Sequence, residues 1–148
     1  MVRPRSTPSF KGLLASSIKA SATASASSRK RDTRCEIILR KELSRLGLRY
    51  RIATDSLPGK PDVVFIGPRV AIFCDGDFWH GRDLAVRIKK LEAGHNAPYW
   101  VAKIRTNVER DKRQTRSLES TGWLVLRFWE SENLGRFVFL FHTINFPL

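Results

Sequence analysis

Pro61-Asp62 ahead of one apolar run and Asp75-Gly76-Asp77 at the end of the next gather three carboxylates in the middle of a chain whose net charge is +13. Like charges at that density repel one another unless a cation sits among them. A divalent metal is the natural guest. A hard cation held by carboxylates on a basic protein suits hydrolysis of a phosphate backbone, because the surface holds the polyanion while the ion activates water and neutralises the leaving oxygen.

The elements that must position these groups follow from spacing. Thr33-Arg34-Cys35-Glu36 is a capping-box pattern, and Ile37, Ile38, Leu39, Leu43 and Leu46 recur at helical intervals before Gly47. Leu48 to Ile52 reads as a short strand and Asp55 to Lys60 as a loop. Val63 to Ile66 and Val70 to Asp75 are apolar on both faces and joined by Gly67-Pro68, which predicts a central antiparallel hairpin covered by helices. Gly76 to Pro98 reads as a long loop with about one helical turn near Leu84 to Leu91. Trp100, Val101, Ile104, Val108 and Leu118 then mark a long helix over Tyr99 to Ser120, ended by Gly122. Trp123 to Trp129 is a third central strand, parallel to Val70–Asp75 because a helix connects them, and Glu132 to Ile144 reads as a closing helix. Trp123, Phe128 and Trp129 belong to the core. The fold class is α/β, one mixed sheet flanked by helices.

The length of 148 residues and 42% hydrophobic content allow one domain with a genuine core. The boundary falls after Arg31: residues 1–31 hold seven of the 27 basic residues and none of the 14 acidic ones. That segment reads as a largely flexible basic arm, suited to a nucleic-acid backbone, to a solubilising tail or to an organelle transit peptide, with a short amphipathic turn over Phe10 to Ile18. Residues 32–148 form the globular part. Cys35 and Cys74 offer no disulfide framework and no zinc-finger spacing, and no apolar run is long enough for a bilayer, so a reducing cytoplasmic setting without membrane attachment is expected.

The residues also resemble a known family, the very short patch repair DNA mismatch endonucleases of the restriction-endonuclease-like PD-(D/E)xK superfamily. The likeness runs through Arg31-Asp32-Thr33 with Glu36, Leu48-Arg49-Tyr50-Arg51, Leu57-Pro58-Gly59-Lys60-Pro61-Asp62, Gly76 with Phe78-Trp79-His80, Tyr99-Trp100, Asn107-Val108-Glu109-Arg110-Asp111, and Gly122-Trp123 through Trp129-Glu130. The resemblance implies a Mg²⁺-dependent endonuclease, with Mn²⁺ as an alternative ion, that nicks one strand of double-stranded DNA near a T:G-type mismatch. Mismatch-repair proteins are the candidate partners. It also implies that Asp62 and the backbone carbonyl of Cys74 hold the metal, and that His80 stands beside the scissile phosphate. Phe78, Trp79 and Trp100 would wedge into the duplex, with Lys60 and Arg110 contributing DNA contacts. Glu36 has two readings: a carboxylate facing metal-bound water, or a helix cap.

Two departures from the family pattern stand out. Asp75 occupies the place of the family's usual catalytic histidine, where related nucleases carry lysine, so it is expected either to join Asp62 on the metal or to accept a proton from attacking water. This expects the two carboxylates to lie close together at an accessible edge. The positions where relatives place zinc ligands read Asp77, Arg82, Leu84 and Ser131, so no structural zinc is expected. The rival readings are a nuclease of restriction-type or modified-DNA specificity, and a catalytically inactive DNA-binding module.

Overall fold

The structure, a computed structural model, describes residues 31–52 and 55–132 together with Gly12. The basic arm and the expected closing helix lie outside the described residues, apart from Gly12 in the arm and Glu132. The elements are helix α1 (Arg34–Arg45), strands β1 (Arg51–Ile52), β2 (Val63–Phe65) and β3 (Val70–Asp75), helices α2 (Leu84–Glu92) and α3 (Ala97–Ser120), and strand β4 (Leu124–Trp129). They compose an α/β fold with one mixed four-stranded sheet. The described residues divide into two compact units, one containing residues 77–111 and the other residues 31–52, 55–76 and 112–132.

In the sheet-bearing unit the strand order is β1-β2-β3-β4. The hairpin is antiparallel, with Val63 opposite Ile72 and Phe65 opposite Val70. β4 runs parallel to β3 over six residues, from Val70 opposite Leu124 to Asp75 opposite Trp129. Both relationships match the sequence reading, since a four-residue turn permits only an antiparallel return and a helical crossover gives a parallel one.

Side chains alternate across a strand, and here the alternation divides the core. Val63, Phe65, Val70, Ile72 and Phe128 pack with Leu39 and Leu43 of α1, while Ala71 and Phe73 pack with Leu118 of α3. Covering both faces explains why β2, and β3 as far as Cys74, are apolar. Each wholly buried Leu or Ile contributes roughly 1.5–3 kcal/mol of transfer free energy.

Three readings of local structure are corrected. Only Arg51–Ile52 of the Leu48–Ile52 segment is strand, because Leu48 and Tyr50 instead pack against the α1-side core. Ile66 falls in the turn and is about half exposed (49%). The segment expected to hold one helical turn contains the nine-residue α2. Its basic cluster hides a period: Leu84, Ile88 and Leu91 are its half-buried apolar positions, at i, i+4 and i+7. Phe128 is buried as expected, whereas Trp123 and Trp129 are half-buried.

Candidate functional site

The sheet unit carries Asp62, Cys74, Asp75 and Glu36. Asp62 sits just before β2, where its backbone N–H donates to the carbonyl of Ile72 (2.9 Å) and its Oδ2 accepts the N–H of Cys74 (2.7 Å). Backbone groups alternate along a strand, so the N–H and C=O of Ile72 and Cys74 face the β2 side. Those of Phe73 and Asp75 face β4, as shown by the Asp75 carbonyl accepting from Glu130 N–H (3.0 Å). The paired register ends at Val63 opposite Ile72, and the Asp62 N–H goes to that same Ile72 carbonyl, so two residues of one strand face one of the other and the regular ladder stops there. The ladder therefore ends with one carboxylate and one carbonyl at the same edge of β3.

Those two oxygens are the hard donors Mg²⁺ prefers, and Mg²⁺ usually keeps several waters and takes only one or two protein carboxylates. Among the described residues no three His, Cys, Asp or Glu side chains converge as a metal cage. A site of Asp62, the Cys74 carbonyl and water fits that ion without such a cage.

Asp75 is placed differently from expectation. It is 4% exposed, and both its oxygens accept from Arg127 Nη1, at 3.0 and 2.8 Å. Arg127 is pinned in turn: its Nε donates to Thr115 Oγ1 (2.9 Å) and its guanidinium lies 4.1 Å from the Phe73 ring centre. Asp75 is thus a buried, ion-paired carboxylate rather than an accessible second ligand. Position 127 carries the sole charge in an otherwise apolar strand, and that was the available signal, because a charge in a central strand requires an opposite one nearby.

Glu36 is a cap. Its Oε2 accepts from the Asp32 N–H (3.0 Å), its Oε1 from the Thr33 hydroxyl (3.0 Å), and the Thr33 Oγ1 accepts from the Glu36 N–H (3.3 Å). The box closes the start of α1 and leaves Glu36 largely buried. Cys35, one residue earlier, faces Cys74. The hydrogen bond with Cys35, then burial, then the charges of Cys35, Asp62 and Glu36 push the Cys74 thiol far above its ordinary range. Lys60, exposed and in the left-handed region (φ +54), pairs with Asp55 at 3.3 Å.

The second unit positions His80 and the aromatic residues. Ile104, Asn107, Val108 and Asp111 lie on one face of α3, and each meets the Trp79–Gly81 turn. Asn107 Nδ2 donates to the Trp79 carbonyl (2.8 Å), and His80 Nδ1 lies 2.6 Å from Asp111 Oδ2. Gly81 has φ +69, and a Cβ there would come within 2.7 Å of Val108 and 3.2 Å of Ile104. The turn is therefore fastened at successive helical positions. Phe78, Trp79 and Trp100 form a half-buried cluster with ring centres 5.0 to 6.1 Å apart, and the Arg87 guanidinium stands 5.4 Å from the Phe78 ring centre. Arg110 is exposed on α3, with its Nη2 3.4 Å from Asp111. Asp111 and Asn107 were quoted within a motif but given no role; their spacing from Ile104 at i+3 and i+7 could have exposed them as a helix face.

Known proteins supply the remaining comparison. The family described as DNA mismatch endonuclease Vsr matches residues 18–86. The type II nicking enzyme V.NmeDIP of Neisseria meningitidis serogroup C is 44% identical over 106 residues, covering 72% of this chain and 70% of that protein. V.HpaIIP of Haemophilus parainfluenzae, also a type II nicking enzyme, is 43% identical over 109 residues, 74% of this chain and 76% of its own. The DNA mismatch endonuclease Vsr of Escherichia coli strain K12 is 41% identical over 106 residues, covering 72% and 66% of the two chains. With identity of this order over most of its length, and the motifs seated as described, the chain belongs to the Vsr family of DNA mismatch endonucleases.

Proposed function

We propose that the protein is a divalent-metal-dependent endodeoxyribonuclease that nicks one strand of duplex DNA beside a T:G-type mismatch. The observation that carries this reading is the edge of β3, where Asp62 Oδ2 accepts the Cys74 N–H at 2.7 Å and the Cys74 carbonyl faces the same side. In the proposal these two oxygens hold Mg²⁺, which supplies an activated water and charge neutralisation at the leaving oxygen. His80 gives or takes a proton, with its ring set by Asp111. Phe78, Trp79 and Trp100 open the duplex, and the lower stacking cost at a mispaired step makes the wedge selective.

The charge of the chain supports a DNA partner. Arg105, Arg110, Lys112, Arg113 and Arg116 are all exposed along α3, and the net charge of +13 favours a polyanion. Lys60 is a further candidate contact. No described helix is long and apolar enough to cross a membrane.

A nicking assay on duplexes differing only in one T:G pair, with Mg²⁺ or Mn²⁺ and with chelator, tests the proposal. The expected result is a single metal-dependent break in one strand of the mismatched duplex, abolished in Asp62→Ala. Equal cutting of the matched duplex would reject the mismatch specificity, and absence of cutting in either would reject the enzyme. Full activity of Asp62→Ala would reject the site.

A further inference from the structure

Arg127 stands outside every role assigned so far, yet it is held at three points: Thr115, Asp75 and the face of Phe73. Asp75 immediately follows Cys74, whose carbonyl is the backbone ligand in the reading proposed above. A carboxylate one residue from a metal ligand would ordinarily be drawn onto the ion, because Mg²⁺ and Mn²⁺ bind carboxylate oxygen strongly. Here both of its oxygens face a guanidinium instead. Resting on the proposed metal site, we infer that Arg127 withholds Asp75 from the metal and so keeps that centre to a single carboxylate, Asp62.

The register explains how the pair arises. Phe73 is opposite Arg127 in the parallel β3–β4 pair, and Asp75 is two residues further along β3 on the same face. A long side chain from position 127 places its guanidinium 4.1 Å from the Phe73 ring centre and reaches Asp75, where the paired charges cancel. The Thr115 hydroxyl fixes the guanidinium from α3. The pair therefore contributes no net charge near the ion. Freeing Asp75 would add a second negative ligand and raise metal affinity, whereas removing both members would leave the ligand set as it is.

Mn²⁺ titration of the full chain, read by electron paramagnetic resonance and by calorimetry, separates these cases. Arg127→Met is expected to bind Mn²⁺ on the order of tenfold more tightly, since affinity in oxygen sites follows the number of charged ligands. The double variant Asp75→Asn with Arg127→Met is expected to bind within about twofold of the unaltered protein. Unchanged or weaker binding in Arg127→Met, with its circular dichroism intact, overturns the inference. So does loss of binding in the double variant, which removes the buried charges together and remains informative even if the single variant does not fold. Asp62→Ala serves as the control for the underlying reading: if it binds Mn²⁺ like the unaltered protein, the metal site itself is misplaced, independently of Arg127.

Discussion

The imidazole Nδ1 of His80 lies 2.6 Å from a carboxylate oxygen of Asp111, a residue 31 positions later on α3. An ionised carboxylate offers only acceptors, so with Asp111 ionised the His80 Nδ1 would carry the proton and Nε2 would be the basic nitrogen of the neutral ring. Removing His80 is expected to slow single-turnover nicking by about 10²–10⁴-fold, the usual contribution of a positioned acid or base. Asp111→Asn should slow it less, on the order of tenfold, because the ring remains but its orientation is lost. In the combined variant the losses should not multiply, since the two side chains act through one ring. Rates of the three proteins on one mismatched duplex check this, and full multiplication would mean that Asp111 acts separately.

The capping box yields a stability prediction. Thr33→Ala removes the acceptor for the Glu36 N–H and the hydroxyl that Glu36 binds, so unfolding in urea should show a loss of about 1 kcal/mol. Glu36→Ala should cost a similar amount. If Glu36 acts only as a cap, the nicking rates of the two variants at 25 °C will fall together or remain unchanged. A much slower Glu36→Ala protein of equal stability would assign it a part in the chemistry.

Gly81→Ala should be more damaging than either cap variant. The residue has φ +69 and its new methyl would lie 2.7 Å from Val108. Strain and overpacking together are expected to cost about 2–4 kcal/mol. Because this turn carries Trp79 and His80, the loss should appear both in denaturant melts and in discrimination between matched and mismatched duplex.

The raised Cys74 thiol gives a pH dependence with a definite sign. In the folded protein it keeps its proton where an unfolded thiol, with a pKa of about 8.5, would lose it. The unfolded state then binds fewer protons, so the contribution of this group to stability is present below that pH and declines as pH rises above it. The Cys35 thiol, which the same hydrogen bond holds below its ordinary range, has the opposite sign. Urea midpoints from pH 7 to 10 should therefore fall more steeply in Cys35→Ala, where the buried Cys74 is left alone, than in the unaltered protein. Disulfide-exchange reagents should label Cys74 slowly until denaturant is added.

Much of the fold was legible because its signals are local. Thr33 to Glu36 announced a cap, Gly67-Pro68 required a turn, and unbroken apolar runs at Val63 and Val70 required cover on both faces. α2 was less legible because its apolar face is only half-buried, so Lys89 and Lys90 obscured the period. The same division holds at the site. Asp62 and Cys74 are set by a short hairpin and could be placed from adjacent motifs. The partners of Asp75 and His80 lie 52 and 31 residues away, and no local pattern indicates which cation or carboxylate a buried charge will find.

Pro61 is wholly buried at the point where β2 and β3 part. Next to it, the Asp62 and Val63 backbones both face Ile72, so regular pairing stops before Cys74 and the Asp62 side chain takes the Cys74 N–H in its place. One carboxylate therefore does the work of a missing rung, and replacing Asp62 would remove the last link between the two strands together with its charge.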